Sequence, residues 1–94
     1  MDRTKIKEIL IGECYPEFMI ESTTDKIVRF TPEVKKVFKE WCSNNESFDF
    51  SVEGFSFCDL VTKWGMKPVG AFITLDWLIR EPEKAKEVLR KGIK

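Results

Sequence analysis

Apolar residues recur at helical spacing in five stretches of this chain and gather into short β-rich runs in three more. In residues 3–13, Ile6, Ile9 and Leu10 share one face of a helix, with Gly12 as a candidate stop. After Pro16 the runs "EFMIE" and "DKIVRF" flank "STT". Their β-branched and aromatic residues around a small polar spacer predict a hairpin with a loop of about three to five residues. Thr31-Pro32-Glu33 is the clearest start signal: a capping hydroxyl, a proline suited to the first helical position, and a carboxylate at the positive helix end. Val34, Val37, Phe38, Trp41 and Cys42 then predict an amphipathic helix over 31–43. "SFDFSVEG" sets Phe48, Phe50 and Val52 against Asp49, Ser51 and Glu53, the alternation of a half-buried strand ending at Gly54. Ser56 can cap a helix lined by Phe57, Leu60, Val61 and Trp64 and ended by Gly65, with Asp59 placed three residues on as in a capping box. A turn at Lys67-Pro68 leads into a helix over 69–80. Pro82 breaks that helix and starts a last one, striped by Ala85, Val88 and Leu89.

These elements predict a single α+β domain over residues 1–94: an antiparallel sheet of about three strands packed against about five helices. Its 94 residues are 43% hydrophobic, with eight Phe and three Trp, enough for a core and more aromatic surface than so small a core needs. Some of those rings are therefore expected at an interface.

The helix over 69–80 is the most informative element. At about 100° per residue, Ala71, Phe72, Leu75, Leu78 and Ile79 form one broad apolar arc. Gly70, Thr74 and Glu81 fill one polar wedge, Asp76 and Arg80 another, and Val69, Ile73 and Trp77 lie between the wedges. A helix apolar on two sides is either a central helix covered by its own neighbours or one that meets a partner. Ninety-four residues leave little chain to cover both sides. The strip Val69, Ile73 and Trp77 is accordingly a candidate docking surface for another protein, first of all a second copy of this chain, with tryptophan as its anchor.

Charge changes this picture modestly. Sixteen acidic and sixteen basic residues cancel, so the chain lacks the overall field that attracts nucleic acid or anionic lipid. The distribution is uneven. Glu40, Glu46, Asp49, Glu53 and Asp59 face no basic residue between Lys39 and Lys63, while the segment from Lys67 on is mildly basic. Such a surface is either a mixed solvated one or polarised so as to orient a partner. No run of apolar residues approaches membrane-spanning length, and the N-terminus lacks a signal-peptide core. Cys14, Cys42 and Cys58, with no histidine in the chain, form no zinc spacing and no disulfide framework. They read as reduced, mostly buried thiols of a cytoplasmic protein.

Candidate chemistry is sparse. No histidine can serve as acid or base, no carboxylate pair shares an apolar helix face, and the five glycines are too scattered for a phosphate loop, so neither enzyme activity nor a cofactor is expected. Cys58, near a helix start, reads as core filling, with thiol reactivity as the alternative.

Residues 57–81, "FCDLVTKWGMKPVGAFITLDWLIRE", do resemble the helix-turn-helix core of winged-helix regulators. Leu60 and Val61 in the first helix, Gly65 at its end, Met66 in the turn, and Phe72, Leu75 and Leu78 in the second helix carry the likeness. The resemblance implies nucleic-acid binding, with Lys84, Lys86, Arg90, Lys91 and Lys94 as the basic residues available for phosphate contact. In that family a β-hairpin wing follows the second helix, whereas here a proline-started helix follows. The opening turns "VGAFITLD" also offer no Arg, Lys, Asn or Gln to read base edges. A protein-interaction or adaptor module is therefore the leading reading, and a nucleic-acid-binding regulator the alternative.

Overall fold

The computed structural model of the chain describes residues 2–44 and 50–92. In chain order its elements are α1 (Arg3–Gly12), α2 (Glu17–Val28), α3 (Pro32–Asn44), β1 (Ser51–Val52), β2 (Phe55–Ser56), α4 (Phe57–Thr62), α5 (Pro68–Arg80) and α6 (Pro82–Gly92). The described residues thus form six helices and one two-stranded antiparallel sheet. The α+β class holds loosely, with a smaller sheet and one more helix than the sequence predicts.

The extra helix replaces the predicted N-terminal hairpin. Residues 17–28 form α2, and the "STT" taken for a loop lies in its middle. Ile20, Thr23, Thr24 and Ile27 stand at i, i+3, i+4 and i+7, so they form the inward stripe. Thr23 and Thr24 are 4% and 0% exposed. Thr24 tolerates burial because its Oγ1 donates to the Ile20 carbonyl at 2.7 Å, which hides the hydroxyl within its own helix. β-branched residues here obey helical spacing rather than strand propensity. Arg3 on α1 bridges Glu21 at 2.6 Å and Asp25 at 2.8 Å on α2, and Lys7 meets Glu21 at 2.8 Å. Hydrogen bonds from Lys7 and Arg3 hold the Glu21 carboxyl below its usual range.

The sheet is a minimal hairpin. Val52 pairs with Phe55 and Ser51 with Ser56 around Glu53-Gly54. Glu53 and Gly54 have φ of 53° and 85°, the pair of positive values that a type I′ turn requires. Gly54 is thus the second turn residue rather than a strand end. Of the predicted strand, Phe50 precedes β1, while Phe48 and Asp49 lie outside the described residues.

Two side-chain caps form, of which the one at Ser56 is the one the sequence suggests. Asp2 accepts from the Lys5 N–H at 2.8 Å to open α1, and the Ser56 hydroxyl accepts from the Asp59 N–H at 3.1 Å to open α4. The expected cap by Thr31 does not form, because its Oγ1 is buried without a hydrogen bond. Instead the Thr31 N–H donates to Asp76 Oδ1 at 2.8 Å across 45 residues.

The α5 helix is the centre of the molecule. It packs against α3, α4, α6 and β1, and Val69, Ala71, Phe72, Leu75 and Leu78 are all 0% exposed. Phe72 is its aromatic hub, meeting Phe38 edge-on at 5.3 Å, Trp41 at 5.7 Å and Phe57 at 4.6 Å between ring centroids. Edge-to-face and tilted pairs of this kind each add about 0.5–1.5 kcal/mol beyond area burial.

Asp76 is the polar exception on α5. It is 8% exposed, accepts from Thr31, and pairs with Arg80 Nε at 2.8 Å one turn on. Both carboxylate oxygens are therefore used, one to fix the α2–α3 turn and one for charge compensation. Asp76→Ala is expected to lower unfolding stability by about 2 kcal/mol, since it leaves the part-buried Thr31 N–H without its acceptor. Asp76→Asn, which keeps an acceptor for Thr31, is expected to lose less. Urea unfolding of the two variants checks the order.

Candidate functional site

An open groove of about 350 Å³ runs between the end of α2 and one side of α5. Its floor is Phe30, Ile73 and Trp77, and its rim carries Lys26, Arg29 and Arg80. Each part follows from the helical elements around it. Ile73 and Trp77 stand one turn apart on α5, on the side that the neighbouring helices leave partly uncovered, and both remain half-buried against the core. Phe30, just past α2, is 4% exposed and packs edge-on to Phe38 at 5.8 Å, which fixes the floor to the core. Lys26 in the last turn of α2 and Arg29 at its C-cap are three apart, so they project on one side of it.

The rim is of one sign. Arg80 is compensated by Asp76 beneath it. Lys26 and Arg29 make no ion pair among the described residues. An apolar floor under unpaired cations can bury aromatic or aliphatic side chains and hold carboxylates at the edge. A second, larger groove of about 1060 Å³ lies between α1 and the end of α3, but there Lys5 and Lys39 alternate with Asp2, Glu8 and Glu13, so the charges give no direction to a ligand.

The predicted docking strip is only partly a surface. Ile73 and Trp77 line the groove, whereas Val69 is 0% exposed and belongs to the core. Its end of α5 is covered from within the chain. Lys67 Nζ donates to the Glu13 carbonyl at 2.7 Å and stands 5.6 Å from the centre of the Tyr15 ring. Burial, followed by the Glu13 charge, pushes the Tyr15 hydroxyl up, and a backbone hydrogen bond at Gly70 opposes the shift.

Sequence reasoning placed Lys26, Arg29 and Phe30 in a strand and so missed the rim and part of the floor. The available signal was the helical spacing of Ile20, Thr24 and Ile27, which puts Lys26 and Arg29 on the opposite side. The role of Asp76 was also missed, and its place on the most apolar helix in the chain was the clue.

The basic residues of the alternative reading are dispersed. Lys84 and Arg90 are exposed on α6. Lys86 pairs with Glu53 at 2.9 Å, which raises the lysine above its ordinary value, and Lys91 pairs with Glu87 at 3.0 Å. Lys94 lies outside the described residues. Glu53 and Asp59, two of the carboxylates of the acidic middle, are paired within the chain to Lys86 and Lys63. Glu46 and Asp49 are outside the described residues.

The cysteines depart from expectation. Cys14 and Cys58 are exposed and Cys42 is half-buried, so Cys58 is not core filling. Burial pushes the Cys42 thiol up. Among the described residues no group of three or more His, Cys, Asp or Glu could hold a metal ion, and no helix is long and apolar enough to cross a membrane.

No protein-family model matches this chain, and neither a curated protein nor a solved structure matches it significantly.

A thiol-specific chromogenic reagent at neutral pH is expected to modify two cysteines quickly and Cys42 slowly, with all three alike after unfolding. Three equally fast thiols in the folded chain would contradict the burial of Cys42.

Proposed function

We propose that this protein is a protein–protein interaction module that self-associates by docking apolar side chains in the groove floored by Ile73 and Trp77. The observation that supports the reading is the indole itself, half-buried on a fixed helix, facing an open groove and bordered by Lys26 and Arg29, which make no ion pair among the described residues. A tryptophan so placed offers a large contact area that is already held in position, which suits an interface anchor. The opening turn of α5, where a recognition helix would present its reading side chains, has Val69, Ala71 and Phe72 fully buried, and this favours docking over the nucleic-acid alternative.

Sedimentation of the wild-type chain at high concentration is expected to show self-association, and Trp77→Ala to weaken it by about 2 kcal/mol or more. Circular dichroism of the variant establishes that it folds, since the indole also packs on the core. A purely monomeric wild type removes the self-association reading. Mixed duplex DNA titrated at low salt is expected to give no salt-sensitive binding at micromolar protein. A saturable, salt-dependent signal would instead favour the nucleic-acid-binding alternative built on Lys84, Lys86, Arg90, Lys91 and Lys94.

A further inference from the structure

We infer that α1 and α2 form a strap that opens from the rest of the chain as one unit, turning about residues 29–31 while α3, α4, α5 and α6 stay folded; the inference is independent of the docking reading above. The two helices pack on one another far more than either packs on α3, α4, α5 or α6. Three ion pairs join them: Arg3 with Glu21 and Asp25, and Lys7 with Glu21. Exposed pairs are weak singly, but Arg3 and Glu21 each serve two of these, which makes a network. The corner between the helices is closed as well. Cys14 takes a φ of 63°, and the Tyr15 N–H donates back to the Leu10 carbonyl at 3.1 Å.

The seam between this pair and the other helices is thinner. Ile6, Leu10 and Ile27 are the buried apolar side chains of α1 and α2 among the described residues, and their buried companions on α2 are the small Thr23 and Thr24. Ile11, Phe18 and Met19 are exposed, so much of the pair's apolar material does not serve the seam. The other helices hold a core of their own. Phe72 of α5 meets Phe38 and Trp41 of α3 and Phe57 of α4, contacts that opening of the strap leaves intact. Both open grooves also lie along the seam. The larger sets Lys5, Glu8 and Ile9 of α1 against Lys39, Trp41 and Cys42 of α3, and the smaller sets the end of α2 against α5. A fully packed interior leaves no gaps of that size, so packing is least complete along this line.

Polar contacts fasten the strap at its two ends. The Thr31 N–H donates to Asp76 Oδ1 at 2.8 Å, and Phe30 packs edge-on to Phe38 at 5.8 Å. These contacts anchor the link between α2 and α3 and make it the pivot. At the far end, Lys67 Nζ donates to the Glu13 carbonyl at 2.7 Å and stands over the Tyr15 ring. Lys67 is exposed, so this latch is a single charge-assisted hydrogen bond open to water. A pair of helices tied tightly to each other, packed thinly on the rest, anchored at one end and latched at the other opens as a block before the chain unfolds as a whole. Opening uncovers Ile6, Leu10 and Ile27 together with the core surface beneath them.

Native-state hydrogen exchange on the full chain at low urea tests this. The inner amides of α1 and α2 are expected to share one opening, at least about tenfold more populated than the opening that exposes the amides of α5. Lys67→Met, which removes the latch donor at an exposed site, is expected to speed exchange in α1 and α2 together by about threefold or more and to leave α5 unchanged. Lys63→Met, which removes only the exposed pair with Asp59, is expected to leave α1 and α2 as they are. Protection in α1 and α2 equal to that in α5 overturns the proposal, as do separate openings for the two helices. Lys67→Met speeding all helices alike, or none, overturns the latch. A monomeric wild type removes the docking reading and leaves these expectations untouched.

Discussion

The burial of α5 is the constraint on which the other elements depend. Its inward side chains are fully covered, and Phe72 at its middle is gripped by rings from α3 and α4 at once. A ring meeting three others at steep or tilted angles cannot slide without losing several contacts together. The helix therefore has one position relative to α3 and α4, and the short hairpin and α6 pack around it. The side of that helix that carries Ile73 and Trp77 is incompletely covered.

Asp76 shows how the same helix admits a charge. A carboxylate in a largely apolar setting is costly unless its oxygens are occupied. Here one oxygen takes the backbone N–H at the start of α3 and the other takes Arg80. The pairing also determines the character of the groove above it. Arg80 is tied down by Asp76, whereas Lys26 and Arg29 make no ion pair among the described residues.

Legibility differed sharply between elements. The start of α4 was readable because Ser56 and Asp59 act within three residues of each other, and the stop near Gly65 because a φ of 70° suits glycine. The breaks at Pro68 and Pro82 were readable for the same local reason. α2 was misread because its threonines look like turn formers when taken alone. Their burial depends on α1, whose Arg3 and Lys7 hold the other side of α2. The two-residue turn at Glu53-Gly54 was missed because Glu53 adopts a left-handed backbone that its own residue type does not favour. Its carboxylate is held by Lys86 of α6, more than thirty residues away.

What the chain's sequence determined by itself was the set of helical faces: which residues of α3 and α5 turn inward, where caps and prolines punctuate, and that α5 is apolar on two sides. Those properties depend on neighbours within about a turn, so they survive without knowledge of the fold. Only the tertiary structure decided that Val69 is swallowed while Ile73 and Trp77 are not, that Asp76 caps a different helix, and that Lys26 and Arg29 border the indole. Each of those outcomes depends on which helix lies across α5 at a given turn, and packing between segments far apart in the chain sets that.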